Sequence, residues 1–287
     1  MSYLNTLLAN QALDDDELNQ LSSHRTEVKE LLEGEFGNDA TIKYAGSKAK
    51  GTMIRESYDL DIVCYLPEDE ERTLKEIYQD TKAILSENYV IDARTSAIRI
   101  INPKGGNGDY HIDVVPGKFI KDSDDVFIYV STADKERMQT NIKVHITTVK
   151  ESGCQDIIKL AKLWKVRNNL TFRTFVLELA VIEALKGYDG KSDLEKSFKK
   201  VLTFLQDKIK SVRLIDPANS GNPVSDLVSK ADKEMIALSA ENSLSIIESA
   251  DEPGDSEWRR VFREVVTSTN ANTPISESRV NKPWLNG

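Results

Sequence analysis

The chain has 287 residues, of which 39% are hydrophobic and 30% are charged, a composition typical of a folded globular protein. Its formal net charge of −9 argues against a protein that coats DNA or RNA, because such proteins usually present a basic surface. The sequence contains no apolar run of about 18 residues and no basic segment near its start, so we expect neither a transmembrane helix nor a signal peptide.

Cys64 and Cys154 are the only cysteines in the sequence, and no cluster of cysteine and histidine has the spacing of a zinc site. So few cysteines favour a protein without disulfides that works in a reducing compartment, so we expect a cytoplasmic location. Cys64 lies in an apolar run and is predicted to be a small buried residue.

The first half of the chain shows the alternation of strand and helix patterns that predicts an α/β (α+β) fold with a mixed sheet. The predicted elements are a helix over 14–36 capped by the aspartates at its start, a strand over 41–45, a short helix after residues 46–47, a strand over 59–66, a helix over 70–87, strands over 89–94, 97–102 and 110–116, and a short pair over 118–121 and 126–130. We assign residues 1–135 to this α/β lobe and expect its N-terminal helix to span both lobes.

The second half is predicted to be helical. Helices are expected over 135–150, 154–169, 172–186, 192–210, 223–249 and 255–267. We assign residues 136–267 to an α-helical lobe and residues 268–287 to a flexible C-terminal tail. A cleft between the two lobes is where a ligand is expected to bind.

Two aspartates begin a strongly apolar strand. Asp59 and Asp61 are two residues apart and project to the same face, and the apolar run 62–66 indicates a buried central strand. Carboxylates on such a strand destabilise the fold unless they are paired or bind a metal ion. We therefore predict that both bind a metal ion. The alternative is an exposed, solvated strand face.

A third acid, Asp113, lies in the alternating and then apolar segment 110–116. A neighbouring strand would place it beside Asp59 and Asp61, where a two-metal site for phosphoryl transfer needs a further acid. The alternative is a strand-end aspartate with a backbone partner. His111 shares the same face and is expected to be a supporting or surface residue.

Gly46 and Ser47 form a predicted turn between a strand and a short helix. Glycine lets the backbone approach a phosphate closely, the start of the helix offers N–H groups, and the Ser47 hydroxyl adds a donor. A Gly-Ser pair alone predicts no more than a turn. The fixed spacing to the two aspartates gives the pattern its specificity.

The spacing of these residues resembles that of the polymerase-β-type nucleotidyltransferases. The motif reads Gly46-Ser47-x3-Gly51-Thr52-x6-Asp59-x-Asp61, with Asp113 later in the chain. Segments 159–164 and 175–179 resemble the helical core of the 2′-5′-oligoadenylate synthase and cGAS/DncV-like branch. Segment 216–222 resembles an Asp-Pro signature of that branch, with departures at Ser220 and Pro223. The bacterial CD-NTases of CBASS anti-phage systems are the most similar in length and domain content.

The resemblance implies a nucleotidyltransferase catalytic lobe over residues 1–135 with two-metal chemistry. Asp59, Asp61 and Asp113 would hold two Mg²⁺ ions, or Mn²⁺ in their place, and Asp113 would receive the proton of the attacking hydroxyl or orient that hydroxyl. Gly46 and Ser47 would contact the triphosphate of the substrate.

The resemblance also implies roles for two residues of the helical lobe. Lys162 would reach the phosphates of the nucleotide, and Phe175 would stack on a nucleobase. The alternatives are that Lys162 lies on a solvated helix face and that Phe175 is an ordinary core residue.

The function implied is a synthase that makes a cyclic di- or trinucleotide from NTPs, ATP among them, in anti-phage defence. No strong nucleic-acid binding is expected, because the chain is acidic and lacks the zinc insertion of the animal DNA sensor. The alternatives are an RNA-tailing (CCA-adding or poly(A)-like) or small-molecule nucleotidyltransferase, and a non-catalytic nucleotide-binding partner or toxin–antitoxin component. The bases joined, the linkage and the ring size are left open.

The C-terminal residue suggests a further partner. Some CD-NTases resemble ubiquitin-like substrates, whose last residue an E1/E2-like companion joins to a target. The resemblance implies that such a partner would act on Gly287. The alternative is an ordinary chain end.

Overall fold

A computed structural model describes residues 2–101, 103, 110–132, 136–250 and 254–263. Its contacts divide the chain into two compact units, here called the sheet unit and the helical unit. The sheet unit comprises Gln11–Gln155 and Asp216–Asn222, and the helical unit comprises the described residues of Met1–Asn10, Asp156–Ile215 and Pro223–Gly287. The lobe boundaries and the cleft expected from the sequence stay predictions, and the tail at 268–287 lies outside the described residues.

The described elements alternate between helix and strand up to residue 151 and are mainly helical after it. The first part contains α1 (Tyr3–Asn10), α2 (Asp15–Phe36), β1 (Thr41–Tyr44), α3 (Gly46–Lys50), β2 (Leu60–Leu66), α4 (Leu74–Asn88), β3 (Ile91–Ala93), β4 (Ile98–Ile101), β5 (His111–Phe119), β6 (Val126–Tyr129), β7 (Arg137–Thr140) and α5 (Ile142–Glu151). The second part contains α6 (Gln155–Arg167), α7 (Thr174–Ala184), α8 (Leu194–Lys208), β8 (Ile215–Asp216), β9 (Asn219–Pro223), α9 (Lys230–Glu248) and α10 (Asp255–Val261).

A mixed sheet of seven strands forms the centre of the sheet unit in the part of the chain described. Five strands follow the order β1-β2-β5-β4-β3, while β6 pairs with β5 and β7 pairs with β6. The β2–β5 pair is parallel and the other pairs are antiparallel. This architecture confirms the predicted α/β class with a mixed sheet.

The two faces of the sheet differ because successive side chains on a strand point to opposite sides. Along β2, Leu60, Ile62, Cys64 and Leu66 join the core cluster that packs against Leu21, Val28 and Leu32 of α2 and Ile77 and Leu85 of α4. Burying each such aliphatic side chain contributes about 1.5–3 kcal/mol, so this face supplies most of the apolar burial of the unit. The opposite face has a smaller cluster, made by Ala45, Val63, Tyr65, Val126 and Ile128.

Helix α2 begins and ends where the sequence predicts. Asp14 caps it through a reciprocal capping box with Glu17, and Gly37, at φ +80°, ends it. Arg55 then bridges the same two acids, with its Nη2 2.7 Å from Asp14 and 2.5 Å from Glu17. This cluster ties the start of α2 to the loop before β2.

Two helices begin later in the chain than predicted. The helix predicted over 135–150 begins only at Ile142, after the Asn141 side chain accepts the Val144 N–H at 3.1 Å, because Arg137–Thr140 pair with β6 as strand β7. The helix predicted over 223–249 begins at Lys230, because β9 and a 3-10 turn at Val224–Leu227 precede it. Helix α1 was not predicted.

The helical unit packs around large aromatic residues. Trp164 is fully buried and donates its indole N–H to Ser243 Oγ at 3.0 Å, while the Phe198 ring stacks on Phe262 with centroids 5.4 Å apart. Cys64 is buried, as predicted, and burial raises the pKa of its thiol to about 12. Cys154 is also buried. None of the described helices combines the length and apolarity needed to cross a membrane.

Candidate active site

A row of charged side chains crosses three neighbouring strands on the sheet face opposite α2 and α4. Asp61 of β2 lies beside Asp113 of β5, and Asp113 lies beside Arg99 of β4. Residues directly paired in register project to the same face, so the three side chains are neighbours. The register thus places Asp113 on the strand next to Asp61, which is the arrangement expected from the sequence.

Asp59 lies one residue before β2 and is fixed by the start of β5. The backbone N–H of His111 donates to Asp59 Oδ1 at 3.4 Å, and His111 Nδ1 lies 3.6 Å from the same oxygen. Both side chains are partly buried, Asp59 being 18% exposed. His111 therefore supports Asp59, one of the two roles expected for it.

Arg99 forms a bidentate ion pair with Asp113. Its Nε lies 2.7 Å from Asp113 Oδ1 and its Nη2 lies 2.6 Å from Oδ2. Burial would lower the pKa of Arg99, whose side chain is only 3% exposed, but the hydrogen bonds and charge of Asp113 and the charges of Asp59 and Asp61 raise it above its usual value. Arg99 is therefore a permanent cation that partly offsets the charge of Asp59, Asp61 and Asp113, which are here called the acid row.

Arg99 is not among the site residues predicted from the sequence. The available signal was a charged residue between Ile98 and Ile100 in a short apolar strand. Those two isoleucines are buried in the core behind the sheet, so the residue between them must point to the face that carries the acids.

Gly46 makes room for the carboxylate of Asp61. A Cβ atom at residue 46 would collide with Asp61 Oδ2, and the φ of +52° is one that side-chain-bearing residues rarely adopt. The Ala45 N–H also donates to the Asp61 carbonyl at 2.8 Å, which holds the turn against β2. Residue 46 must therefore be glycine because the backbone packs closely on Asp61 at this position.

Gly46 and Ser47 are the first residues of α3, a helix of five residues that Gly51 ends in the left-handed conformation, so the short helix begins at Gly46 and not after residues 46–47 as predicted. Ala45, the residue before the helix, provides no side-chain cap, so the first N–H groups of α3 receive no capping side chain from it. Ser47 is thus placed next to the residue that packs on Asp61. Its contact with a triphosphate stays a prediction.

The donor chemistry of the acid row fits Mg²⁺ or Mn²⁺, because both ions prefer carboxylate oxygens and Asp59, Asp61 and Asp113 supply these at one end of the sheet. Within the described residues, however, no group of three or more His, Cys, Asp or Glu side chains is assembled closely enough to hold a metal ion. Both carboxylate oxygens of Asp113 accept hydrogen bonds from Arg99. Joint metal binding by the three acids stays a prediction.

Lys162 and Phe175 belong to the helical unit. Lys162 lies on α6 with 6% of its side chain exposed, so the alternative of a solvated helix face is wrong. Phe175 is partly buried in the first turn of α7. Their proposed contacts with phosphates and a nucleobase stay predictions.

The segment that resembles the Asp-Pro signature forms the β8–β9 hairpin. Asp216 Oδ1 lies 2.7 Å from His145 Nε2 and accepts the Ala218 N–H at 2.9 Å, while Asn222 donates to Oδ2 at 3.1 Å. Burial would raise the pKa of Asp216, but these hydrogen bonds and the charge of His145 hold it below its usual value. The signature therefore fastens a hairpin to α5 through His145, a role that sequence reasoning did not assign.

Comparison with protein families gives one matching domain. Residues 1–152 match the model of the Second Messenger Oligonucleotide or Dinucleotide Synthetase domain. The matched region contains the Gly46-Ser47 turn, the acid row and Arg99, so the match covers the whole of the site described in the sheet unit.

Two curated proteins from Escherichia coli are similar along most of the chain. A CBASS oligonucleotide cyclase, CdnC, of strain KTE188 is 24% identical, with 76% of this chain and 80% of the relative covered. A cyclic AMP-AMP-AMP synthase of strain MS 115-1 is 22% identical, with 72% and 75% covered.

Solved structures share the fold. The Vibrio cholerae DncV structure with 3′-deoxy GTP bound superposes with a TM-score of 0.76 at 16% identity, covering 91% of this chain and 93% of that one. The E. coli MS115-1 CdnC structure with ATP gives a TM-score of 0.71 at 19% identity, covering 90% and 96%.

We predict that Gly46→Ala destabilises the protein more than Gly51→Ala does. Both substitutions place alanine at a positive φ, which costs about 1 kcal/mol, but only at residue 46 does the new Cβ collide with Asp61. The collision should cost roughly a further 1–3 kcal/mol of unfolding free energy. Urea unfolding of both variants measures the difference. Equal losses would show that the turn does not pack on Asp61 as described.

We predict that Asp216→Asn destabilises the protein at pH 7 by about 1–3 kcal/mol, since a buried charged acceptor is lost. Because folding lowers the pKa of Asp216, its stabilisation is fully present above the usual value of 3.8 and is lost as the pH falls through the folded value. The difference in unfolding free energy between wild type and Asp216→Asn should therefore become smaller as the pH falls below about 3.8. Urea unfolding from pH 7 to pH 3 measures it, with the exposed Asp189→Asn as control. A difference that stays constant down to pH 3 would contradict the claim that the ionised Asp216 carboxylate stabilises the fold.

Proposed function

The chain belongs to the second messenger oligonucleotide or dinucleotide synthetase family, and from that premise we propose that it joins NTPs into a cyclic di- or trinucleotide by two-metal nucleotidyl transfer. One observation carries the proposal. Asp61 and Asp113 are paired on adjacent strands, Asp59 precedes the first of them, and the Gly46-Ser47 turn packs on Asp61. Such a site offers hard oxygen ligands beside a phosphate-binding turn.

Each residue of the site has a distinct task in this proposal. Asp59, Asp61 and Asp113 would hold two divalent ions, which would supply positive charge to the triphosphate and favour ionisation of the attacking ribose hydroxyl. Asp113 accepts the hydroxyl proton or orients the hydroxyl. Gly46 lets the turn lie close to the site, and the Ser47 hydroxyl donates to the triphosphate.

The bond changes are the same in every transfer. A ribose hydroxyl oxygen bonds to the α-phosphorus of an NTP or of the 5′-triphosphate of the linear product, the bond from that phosphorus to the β-phosphate oxygen breaks, and pyrophosphate leaves. The last transfer, which is the second for a cyclic dinucleotide and the third for a cyclic trinucleotide, occurs within the linear product and closes the ring. ATP is proposed as one substrate, in keeping with a relative solved with ATP and another described as a cyclic AMP-AMP-AMP synthase.

Lys162, which is 6% exposed on α6, is proposed to bind the phosphates of the nucleotide. Phe175 is proposed to stack on a base.

Anti-phage defence is the proposed biological setting, because a similar protein is named a CBASS oligonucleotide cyclase. Another solved relative is a complex of CdnC with a HORMA protein, so a protein partner is also proposed for this chain. Conjugation of Gly287 by an E1/E2-like partner stays a hypothesis, and that residue lies outside the described part of the chain.

An RNA-tailing or small-molecule nucleotidyltransferase is the alternative. An RNA-tailing enzyme needs a basic track for its substrate, and the net charge of −9 disfavours it. The mass of the product made from NTPs alone, without RNA or another acceptor, separates these functions.

We predict that the wild-type protein converts a mixture of the four NTPs into a phosphatase-resistant cyclic product with Mg²⁺ or Mn²⁺, and that Asp59→Asn with Asp61→Asn lowers the rate by about 10³-fold or more. Losing two metal ligands removes several kcal/mol of transition-state stabilisation, at about 1.4 kcal/mol for each tenfold change in rate. Mass spectrometry identifies the product, and circular dichroism checks the fold.

The matched control is Asp39→Asn with Asp122→Asn, which removes the same two charges from exposed positions of the sheet unit. Its rate should stay within about twofold of wild type. Failure of the wild type to form product under either metal, with its genomic neighbours' proteins supplied as activators, would refute the synthase. Full activity of the Asp59/Asp61 variant would refute the metal assignment.

A further inference from the structure

The ion pair between Arg99 and Asp113 poses a chemical conflict within the acid row. Asp113 gives both carboxylate oxygens to the guanidinium, at 2.7 and 2.6 Å. A carboxylate whose two oxygens both accept charge-assisted hydrogen bonds is a weaker ligand for a divalent ion, because the guanidinium occupies one lone pair of each oxygen and its charge opposes that of the ion. The residue proposed to complete the metal set is therefore the one that the protein's own cation occupies.

The position of Arg99 is built into the fold. Its backbone pairs directly with that of Asp113, and its side chain is 3% exposed. Ile98 and Ile100 on either side are anchored in the core, so the strand cannot rotate Arg99 away without losing that packing. Any exchange at Asp113 must then occur by side-chain motion.

The choice of arginine also has a physical consequence. A buried lysine can lose its proton and its charge, whereas arginine keeps its charge and binds a carboxylate through two parallel bonds. The three acids and Arg99 have formal charges of −3 and +1, which leave the row at −2. Without Arg99, three like charges would lie together at one end of the sheet, at a cost in stability.

We infer that Arg99 is a positioning residue that occupies Asp113 as an internal counter-cation, and that Asp113 becomes a full metal ligand only when Arg99 releases at least one of its oxygens. The inference rests on the proposed function, because it takes the acid row to be the metal site. Arg99 thereby lowers the affinity for divalent ions while it stabilises the protein before they bind.

The test measures metal binding in the absence of NTPs. Free Mn²⁺ is titrated by electron paramagnetic resonance into the full chain carrying Arg99→Gln, at fixed pH and salt. We expect about tenfold tighter Mn²⁺ binding than in wild type, because one positive charge next to the ligands is gone. In EDTA the same variant should melt at a lower temperature than wild type, and Mn²⁺ should recover most of the difference.

Arg94→Gln is the matched control. Arg94 is a largely buried arginine of the β3–β4 hairpin, 15% exposed, with Nη2 2.7 Å from Asp92, an acid outside the row. Its loss should lower the melting temperature while Mn²⁺ affinity stays within about twofold of wild type. If Arg99 had only a structural role, Arg99→Gln would show the same pattern, a lower melting temperature with unchanged Mn²⁺ affinity.

Arg99→Lys keeps the experiment decisive if Arg99→Gln does not fold. Lysine retains the charge but cannot form both parallel bonds, so Mn²⁺ affinity should lie between those of wild type and the expected Arg99→Gln value. Unchanged or weaker Mn²⁺ binding in the folded variant would overturn the inference.

Loss of Mn²⁺ binding in every form of the protein would overturn the inference as well. Product formation from NTPs then decides the proposed function separately. An enzyme that makes the cyclic product, but whose Arg99 variants bind Mn²⁺ no more tightly than wild type, would refute the role of Arg99 and leave the synthase intact.

Discussion

The register of three neighbouring strands brings Asp61, Asp113 and Arg99 into one row, and the rest of the candidate site depends on it. A shift of one residue in either pairing would send these side chains to the opposite face, which is filled by the core. The packing of β2, β4 and β5 on α2 and α4 therefore maintains the site as well as the fold. Gly46 adds a second constraint, because the backbone at this residue packs directly against the Asp61 carboxylate.

Stability alone does not explain this row. A partly buried ion pair gains little net free energy, because the loss of solvation offsets most of the attraction between the charges. An apolar pair at residues 99 and 113 would stabilise the sheet as well or better. The proposed metal-dependent chemistry would explain the acids, and the need to fold a sheet that carries those acids before metal is bound would explain Arg99. The two requirements meet at Asp113, which is both a proposed ligand and the partner of the arginine.

The sequence predicts features that depend on local patterns. Helix α2 with its Asp14 cap, the Gly46-Ser47 turn and the acids of β2 and β5 follow from capping, spacing and alternation over a few residues. Partners that are distant in sequence escape such patterns, because they depend on which strands become neighbours. Arg99 is recognisable only once β4 is paired with β5, and His145 only once the β8–β9 hairpin lies on α5. Strand β7 was predicted as helix for the same reason, since its pairing with β6 overrides a weak local preference.

The most direct test of the account is a crystal structure of the protein with Mn²⁺ and a non-hydrolysable NTP, with the ions located by anomalous scattering. The account predicts two Mn²⁺ peaks bound by Asp59, Asp61 and Asp113, the triphosphate beside Ser47, and an Arg99 that no longer binds both oxygens of Asp113. Mn²⁺ bound away from these acids would contradict the assignment of the site. Two ions on the three acids with both Arg99–Asp113 hydrogen bonds intact would contradict the competition between arginine and metal.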